Sequence, residues 1–372
     1  MARKTPAPRK PASTKPKQAP KGKAATPAPK AGASADPPSF QAPQPAFNTQ
    51  LSLLDVFART FADELAAPDR DVVLQQIKGD LFNRDFAAAF GREDRLAVYA
   101  ARWSPPRALC YASIFNGLAE QLCSVLQKSS ECRAGDNPSD GNGNKPRLRM
   151  VSVGGGVAEL ASFATFLACN SQVSAGDICL VDSGPWASAV NRLQHDLTTA
   201  PPLPDSASAA AAASNKPFLT PDSLESRFHQ HDILSLDGDA LGELLGASPV
   251  VVTLLFTLNE LYTSGGIGKT TSFLLKLGAR LAPGSLLLVV DSPGSYAEAT
   301  VGGSSKKYPM RWLLEHVLLT TAAGAWEAVE TCDSVWFRLA ESLRYPIPLE
   351  NMRYQLHLYR VVGPPRPAEE GK

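Results

Sequence analysis

The stretch that most constrains this chain is VSVGGGVAEL, residues 151–160, in which a short β-type run meets three consecutive glycines. A helical pattern then begins, with the acidic Glu159 in its first turn. Glycine tolerates the tight turn between a strand and a helix, and it lets a ligand approach the backbone closely. This order of residues is typical of α/β folds that bind nucleotides. The expected ligand contacts are Gly154, Gly155 and Gly156.

The glycine spacing distinguishes between two nucleotide-binding motifs. The dinucleotide motif G-x-G-x-x-G needs its third glycine at the position of Glu159, where helix and strand pack closely. The pattern G-x-G-x-G fits better, with Gly154 and Gly156 in place and the small Ala158 third. It is the first motif of S-adenosylmethionine-dependent methyltransferases. An ordinary glycine-rich turn without a ligand is the alternative on this stretch alone.

Charge is distributed unevenly along the 372 residues. Residues 1–36 carry nine Lys or Arg and a single acidic residue, a net charge of +8, whereas the rest of the chain carries −7. A Pro/Ala/Lys-rich segment of this kind cannot bury a core, so we predict a disordered basic tail over residues 1–46. Its natural partner is a polyanion such as RNA, and a solubilising or nuclear-import tail is the alternative.

Other sequence signals exclude several classes of protein. No apolar run approaches the roughly 20 residues that a membrane helix needs, and no apolar segment follows the N-terminal charges as in a signal peptide. The six cysteines form no C-x-x-C pair, and the five histidines have no paired zinc spacing. We therefore expect an intracellular protein, in the nucleus, nucleolus or cytoplasm, with neither a metal site nor a membrane partner.

Apolar residues at helical spacing predict a helical region over residues 47–132. Within it, Ser104 is expected to cap a new helix that has Pro105 and Pro106 at its start. The Gly/Asn/Pro-rich run 133–146 is predicted to be a linker loop.

An α/β domain is predicted over residues 147–362. Apolar runs at 178–181, 250–256 and 286–290 read as strands, and helical segments separate them. Such alternation implies right-handed crossovers and a parallel sheet. The alternating pattern of residues 352–359 predicts a final, half-exposed antiparallel strand.

Two further segments are expected to lie outside the sheet. The alanine-rich run 198–216 reads as a disordered insertion, and residues 363–372 as a C-terminal tail. The predicted fold class is therefore α/β: a Rossmann-like class I methyltransferase fold with a mostly parallel seven-stranded sheet and an N-terminal helical extension.

Ligands of doubly wound sheets bind at the carboxyl ends of the strands. Asp182 ends the second strand, where a carboxylate accepts hydrogen bonds from both ribose hydroxyls, or else caps a turn. Asp232 is a candidate for the adenine amino group, with a solvated turn as the alternative.

A polar pair, Asn259 and Glu260, follows the run 250–256. Methyl transfer requires the nucleophile to lie in line with the sulfonium methyl, and any proton on the nucleophile must be removed. Asn259 is predicted to orient a base edge and Glu260 to accept a proton. A helix N-terminal carboxylate is the alternative for Glu260.

A competing phosphate-binding signal is SGGIGKTT, residues 264–271, with LLLVVDSPG, residues 286–294, resembling the acidic strand of nucleotide hydrolases. The P-loop pattern requires glycine at position 263, where Thr263 stands. A P-loop hydrolase is therefore the weaker reading.

Several longer stretches resemble the fungal large-subunit (25S) ribosomal RNA uridine-N3 methyltransferases of the Rossmann-like class, over roughly residues 50–362. They are IKGDLFNRDFAAAFGREDRLAVYAARWSPPRALCY, VSVGGGVAEL, LVDSGPW, LLLVVDSPGSY and LRYPIPLENMRYQLHLYR.

This resemblance implies transfer of a methyl group from S-adenosylmethionine to uridine N3, with large-subunit ribosomal RNA or pre-ribosomal particles as partner. It implies cofactor roles for the glycine turn and Asp182, whereas Arg102, Trp103 and Arg107 are candidate RNA contacts, with helix packing as the alternative. A non-catalytic RNA-binding assembly factor with the same fold remains a further alternative.

Overall fold

The computed structural model describes residues 40–132, 147–173, 175–301 and 304–364. The predictions for most of the basic tail, for the linker 133–146 and for most of the C-terminal tail lie outside these residues. Residues 40–46, which we assigned to the tail, pack against the folded region. Ser113 Oγ donates to the carbonyl of Ala42 at 2.6 Å, and Gln44 Nε2 donates to the carbonyl of Arg338 at 2.7 Å. The described fold therefore begins before the predicted boundary, at Phe40.

The N-terminal region is helical, as predicted from its apolar spacing, and it packs on one face of the sheet. The long helix α5 lies at the centre of this layer, and Phe115 on it meets Phe166 of the sheet domain edge to face at 6.3 Å. The helices are α1 (Phe47–Thr60), α2 (Ala62–Ala66), α3 (Arg70–Phe82), α4 (Phe86–Phe90), α5 (Glu93–Gly117) and α6 (Ala119–Cys132).

The prediction that a new helix starts at Ser104 is wrong, because α5 runs through Pro105 and Pro106 without a break. Proline lacks an N–H and leaves the carbonyl four residues before it without its helical partner. For Pro105 that carbonyl belongs to Ala101, and the hydroxyl of Tyr345 donates to it at 2.8 Å. A distant side chain thus satisfies the group that the proline exposes, which the local sequence could not reveal.

A seven-stranded sheet forms the middle layer, in the order β3-β2-β1-β4-β5-β9-β8. The first five strands pair in parallel, and β9 is antiparallel to both of its neighbours, so the predicted mostly parallel seven-stranded sheet is confirmed. A separate hairpin pairs β6 with β7. The strands are β1 (Arg147–Val153), β2 (Ala175–Asp182), β3 (Leu224–Gln230), β4 (Val251–Leu255), β5 (Leu286–Asp291), β6 (Tyr296–Val301), β7 (Ser304–Pro309), β8 (Trp326–Phe337) and β9 (Met352–Val361).

The prediction of a half-exposed final strand is wrong, since residues 354–359 of β9 are buried on both faces. The strand is inserted between β5 and β8, so helices cover its two faces. Its polar residues are buried with it, and His357 is fully inaccessible. Burial lowers the pKa of His357 to about 4, which keeps the imidazole neutral.

The remaining helices cover both faces of the sheet. Helices α7 and α8 share a core with α5, whereas α10 to α13 build a second core on the opposite face. Within the insertion 198–216, which we expected to be disordered, residues Ala209–Ser214 form a short exposed helix that Ser208 caps. The helices are α7 (Val157–Cys169), α8 (Ala187–Thr198), α9 (Ala209–Ser214), α10 (Gly238–Leu245), α11 (Leu258–Ser264), α12 (Gly266–Arg280) and α13 (Met310–Glu315), followed by a π-helical turn His316–Thr321.

The run 264–271 lies at the junction of α11 and α12 and does not follow a strand. Lys269 is exposed on α12. A P-loop requires a strand, a glycine-rich loop and then a helix, so the geometry does not support phosphate binding here.

Candidate active site

The glycine turn after β1 has the close contacts that require glycine. Gly154 has φ of 69°, and a Cβ added there would lie 2.3 Å from Thr257 Oγ1. A Cβ on Gly156 would lie 3.0 Å from the Trp186 ring. The Gly154 N–H donates to the carbonyl of Val181 at 2.8 Å, which ties the turn to the end of β2.

Glu159 closes this turn from inside the fold. Its side chain is buried, and Oε2 accepts a hydrogen bond from the Gly156 N–H at 2.8 Å. Burial raises the pKa of Glu159 to about 7. We used this residue only as an argument against the dinucleotide motif. Its position three residues after the N-cap Gly156, where a glutamate can accept from the N-cap N–H, was the available signal for its role.

Asp182 lies at the end of β2 and lines the same cleft as the glycine turn. Its Oδ1 accepts from the Gly184 N–H at 2.6 Å, and within the described part of the chain Oδ2 has no hydrogen-bond partner. Burial raises the pKa of this carboxyl to about 6. One oxygen is thus fixed by the backbone while the other is available to a ligand.

Asp232 does not join this cleft. Its side chain is exposed, and Oδ1 accepts from the Leu234 N–H at 3.0 Å to cap a short 3₁₀ turn. The predicted adenine contact therefore has no support from the arrangement of the side chains, and the solvated-turn alternative describes the observed position.

The end of β4 presents Asn259 and Glu260 to the cleft through a strained turn. Phe256 has φ of 60°, a left-handed conformation that is costly for a bulky residue and concentrates at functional sites. Its N–H donates to the carbonyl of Val290 at 2.7 Å, which holds the turn against β5. Burial, reinforced by Asp182, raises the pKa of Glu260 to about 8.

Asp291 is a cleft residue that sequence reasoning missed. It ends β5 and is almost fully buried. Its Oδ2 accepts from the Asn259 N–H at 3.0 Å, and Oδ1 accepts from the Ser292 N–H at 2.7 Å. Burial raises its pKa to about 6. Its position at a strand end was the available signal, but we assigned LLLVVDSPG to the phosphate-binding alternative.

Of the three predicted RNA contacts, only Arg107 lines the cleft. Its guanidinium lies 5.3 Å from the Tyr99 ring centroid and 5.7 Å from that of Phe256. Arg102 is buried and instead forms an ion pair with the exposed side chain of Glu350. Trp103 packs against Tyr99 at 5.1 Å and is not part of the cleft lining.

The cleft has about 870 Å³ of empty space, a volume that includes open solvent at its mouth. Aromatic side chains from the helical region form one wall, and the carboxyl ends of the strands form the other. Four carboxyl groups face one guanidinium, so the deprotonated cleft is negative: Glu159, Asp182, Glu260 and Asp291 with Arg107.

This arrangement fits S-adenosylmethionine, whose sulfonium and ammonium groups are positively charged. The glycines of the turn 154–156, which have no room for side chains, let a cofactor approach the backbone closely. Asp182 Oδ2 remains free to accept a hydrogen bond from it. Within the described ranges, no group of three or more His, Cys, Asp or Glu side chains is placed to hold a metal ion. In the same ranges, none of the helices combines the length and the apolar character that a membrane span needs.

Comparisons with known proteins agree with this geometry. A family model described as "Putative SAM-dependent methyltransferase" matches residues 57–360. The Saccharomyces cerevisiae protein named 25S rRNA (uridine(2843)-N(3))-methyltransferase is 32% identical over 338 residues, which cover 82% of this chain and 84% of the relative. The resemblance inferred from the sequence is thereby confirmed.

Matches among solved structures have lower identity. An O-methyltransferase family protein from Burkholderia thailandensis has 14% identity and a TM-score of 0.35, over 79% of this chain and 70% of that one. A variant of the 16S rRNA (adenine(1408)-N(1))-methyltransferase from Catenulisporales acidiphilia has 16% identity and a TM-score of 0.34, over 59% and 89%. On the family model and the yeast relative, this chain belongs to the S-adenosylmethionine-dependent methyltransferase family that the model describes.

Proposed function

We propose that this protein transfers a methyl group from S-adenosylmethionine to N3 of a uridine in large-subunit ribosomal RNA. The observation that carries the choice of substrate is its 32% identity to the yeast 25S rRNA uridine-N3 methyltransferase, over 84% of that relative's length. The aligned share of the chain is large enough to include both the helical region and the sheet domain.

The residues that would hold the cofactor are the glycine turn, Asp182 and Trp186. Asp182 Oδ2 is an acceptor for ribose hydroxyls, and the buried Trp186 offers a flat surface for the adenine. When bound, S-adenosylmethionine supplies an activated methyl group on a positively charged sulfur. The surrounding carboxyl groups favour that charge electrostatically.

The proposed base is Glu260. Uridine N3 carries an imide proton on the Watson–Crick edge, so the base must be unpaired or flipped before N3 can react. Glu260 accepts this proton as N3 acquires the methyl group, and Asn259 orients the base edge. A pKa near the working pH suits a general base, because the carboxylate is then both available and basic enough.

The basic residues of positions 1–36 supply charge for the RNA backbone in this proposal. Pre-ribosomal particles are the corresponding partner, in the nucleolus or the cytoplasm, and the protein is intracellular by virtue of that substrate.

Mass spectrometry of nucleosides from large-subunit RNA tests the proposal directly. Cells that lack the protein should lose N3-methyluridine, and the intact gene should restore it. A non-catalytic assembly factor would leave the N3-methyluridine level unchanged in both strains, which would overturn the proposed activity.

A further inference from the structure

Two exposed arginines at one edge of the sheet are not neutralised. Two other exposed arginines have carboxylate partners, in the pairs Arg92–Asp94 and Arg227–Glu225. For Arg338 and Arg353, no carboxylate of a described residue lies within ion-pair distance. Two uncompensated positive charges at one place attract an anion from outside the fold.

Both guanidiniums lie close to one exposed indole. Trp336 is 54% exposed, and the guanidinium carbons of Arg338 and Arg353 lie 5.1 Å and 5.6 Å from its ring. Trp336 pairs with Arg353 across β8 and β9, and Ser334 Oγ accepts from Arg353 Nε at 2.8 Å. The platform, Trp336 with Arg338 and Arg353, is thus held by strand register and by a hydrogen bond.

The platform lies at the same end of the strands as the cleft. Arg353 is two residues before Gln355, which pairs with Asp291 of the cleft and donates from Nε2 to the Ser292 carbonyl at 2.9 Å. Strand spacings of about 4.8 Å and rises of about 3.4 Å per residue put the Trp336 and Asp291 backbones about 12 Å apart. One extended RNA strand can reach both places.

The start of the described chain meets the same platform. Gln44 Nε2 donates to the carbonyl of Arg338, and the nine basic residues of positions 1–36 precede this contact in the sequence. The neighbouring Asp333 does not cancel the charge of the platform, since Arg311 pairs with it.

We propose that the platform binds a single-stranded segment of the RNA substrate beside the target uridine. A base stacks on Trp336, and Arg338 and Arg353 contact the flanking phosphates. An exposed aromatic ring with adjacent cations is the arrangement that single-stranded nucleic acid recognises, because every base has a flat face and every linkage carries a charge. The proposal rests on the RNA-directed function proposed above.

The test measures binding of the full chain to a fluorescein-labelled oligouridylate by anisotropy. Trp336→Ala should weaken binding by about 5- to 150-fold, the effect of losing one stacked base, and Trp336→Phe should retain most of the affinity. The matched control is Trp312→Ala on α13, another exposed tryptophan at 48%, which should bind like wild type.

The arginines are tested by salt dependence. The double variant Arg338→Gln/Arg353→Gln should reduce the slope of log K against log salt by about 1.4, since each single-strand phosphate contact contributes about 0.7. Arg227→Gln, on the opposite edge strand β3, should keep the wild-type slope. Unchanged S-adenosylmethionine affinity and thermal unfolding in each variant would show that the fold is intact.

Oligouridylate binding that is equal in wild type and in the platform variants would overturn this inference. So would variants that lose binding only to a polyglutamate peptide, which would indicate an acidic protein partner. Methylation of ribosomal RNA is measured separately in the same preparations. If wild type methylates uridine N3 while the platform variants bind and methylate normally, only this inference fails; if wild type binds RNA through Trp336 but methylates no uridine, the proposed function fails.

Discussion

Acidic side chains have different environments in the cleft and in the ion pairs elsewhere in the fold. In the cleft, burial raises the pKa values of four carboxyl groups, and one guanidinium is shared among them. Outside it, several carboxylates pair with an arginine of their own, as in Asp177 with Arg147 at 2.6 Å and Glu64 with Arg192 at 2.7 Å. The fold compensates charge where it needs only stability and leaves charge uncompensated where a cation is to bind.

The largest expected effect is on catalysis. Glu260→Gln should lower the rate of methyl transfer by about 10²- to 10⁴-fold, the contribution typical of a general base. The wild-type rate should rise with pH towards about 8, because the Glu260 carboxyl must ionise to accept a proton, and the residual rate of the variant should lose this dependence. Single-turnover methylation of large-subunit RNA across pH measures both.

The matched control for Glu260 is Glu243→Gln, an exposed acid on α10. It should leave the rate and its pH profile unchanged. A Glu260→Gln enzyme as fast as wild type would exclude the carboxylate as the base and leave it as a helix N-terminal residue.

The second largest effect is expected on the free energy of unfolding of the protein without bound cofactor. The folded-state pKa of Glu159, about 7, exceeds its usual 4.5, so the ionised carboxylate destabilises the fold increasingly as pH rises from 4.5 and fully above 7. Glu159→Gln keeps an acceptor for the Gly156 N–H and should raise the free energy of unfolding by about 3 kcal/mol at pH 8, with no gain below pH 4.5. Urea unfolding at several pH values measures the difference. A less stable variant at pH 8 would contradict this account.

The third effect separates two candidate cofactor residues. Asp182→Asn should weaken S-adenosylmethionine binding by about 10- to 150-fold, the loss of a charge-assisted hydrogen bond. Asp232→Asn serves as the comparison, because Asp232 caps an exposed turn and should leave the affinity unchanged. Calorimetry of both variants decides between them, and a reversed order would restore the adenine role predicted for Asp232.

The smallest effect is expected at a compensated pair. Asp177→Asn removes the partner of Arg147 on the sheet surface and should cost about 1 kcal/mol or less, because solvent screens such pairs. Urea unfolding provides the measurement. If Asp177→Asn lowered the free energy of unfolding by more than about 2 kcal/mol, the charges of this pair would behave as buried charges. The difference between this pair and the carboxyl groups of the cleft would then disappear.

Local sequence was sufficient to predict the elements that are determined by residues close together in the chain. The glycine turn, the parallel strands and Asp182 at a strand end follow from short-range patterns, and the structure places them as expected. Asp291 was missed because one motif allowed two interpretations, and only the packing of β5 beside β4 selects between them.

Local sequence patterns could not predict the features that depend on residues distant in the chain. The continuity of α5 depends on the Tyr345 hydroxyl, and the burial of β9 depends on where it is inserted in the sheet. Alternation in β9 suggested one solvent-facing side, but covering helices on both faces override it. The positions of Arg102 and Trp103 depend on Glu350 and Tyr99, which the helical pattern alone did not link to them.

The insertion of β9 between β5 and β8 also sets an order for synthesis. Among the described residues, strand β8 pairs in the sheet with β9 alone, and β8 is translated before β9. The edge of β8 therefore gains its sheet partner only after β9 has been synthesised, and Gln355 reaches the Ser292 carbonyl only then. A nascent chain that has emerged only as far as β8 lacks this support for the cleft, so the active site is completed only after β9 has followed.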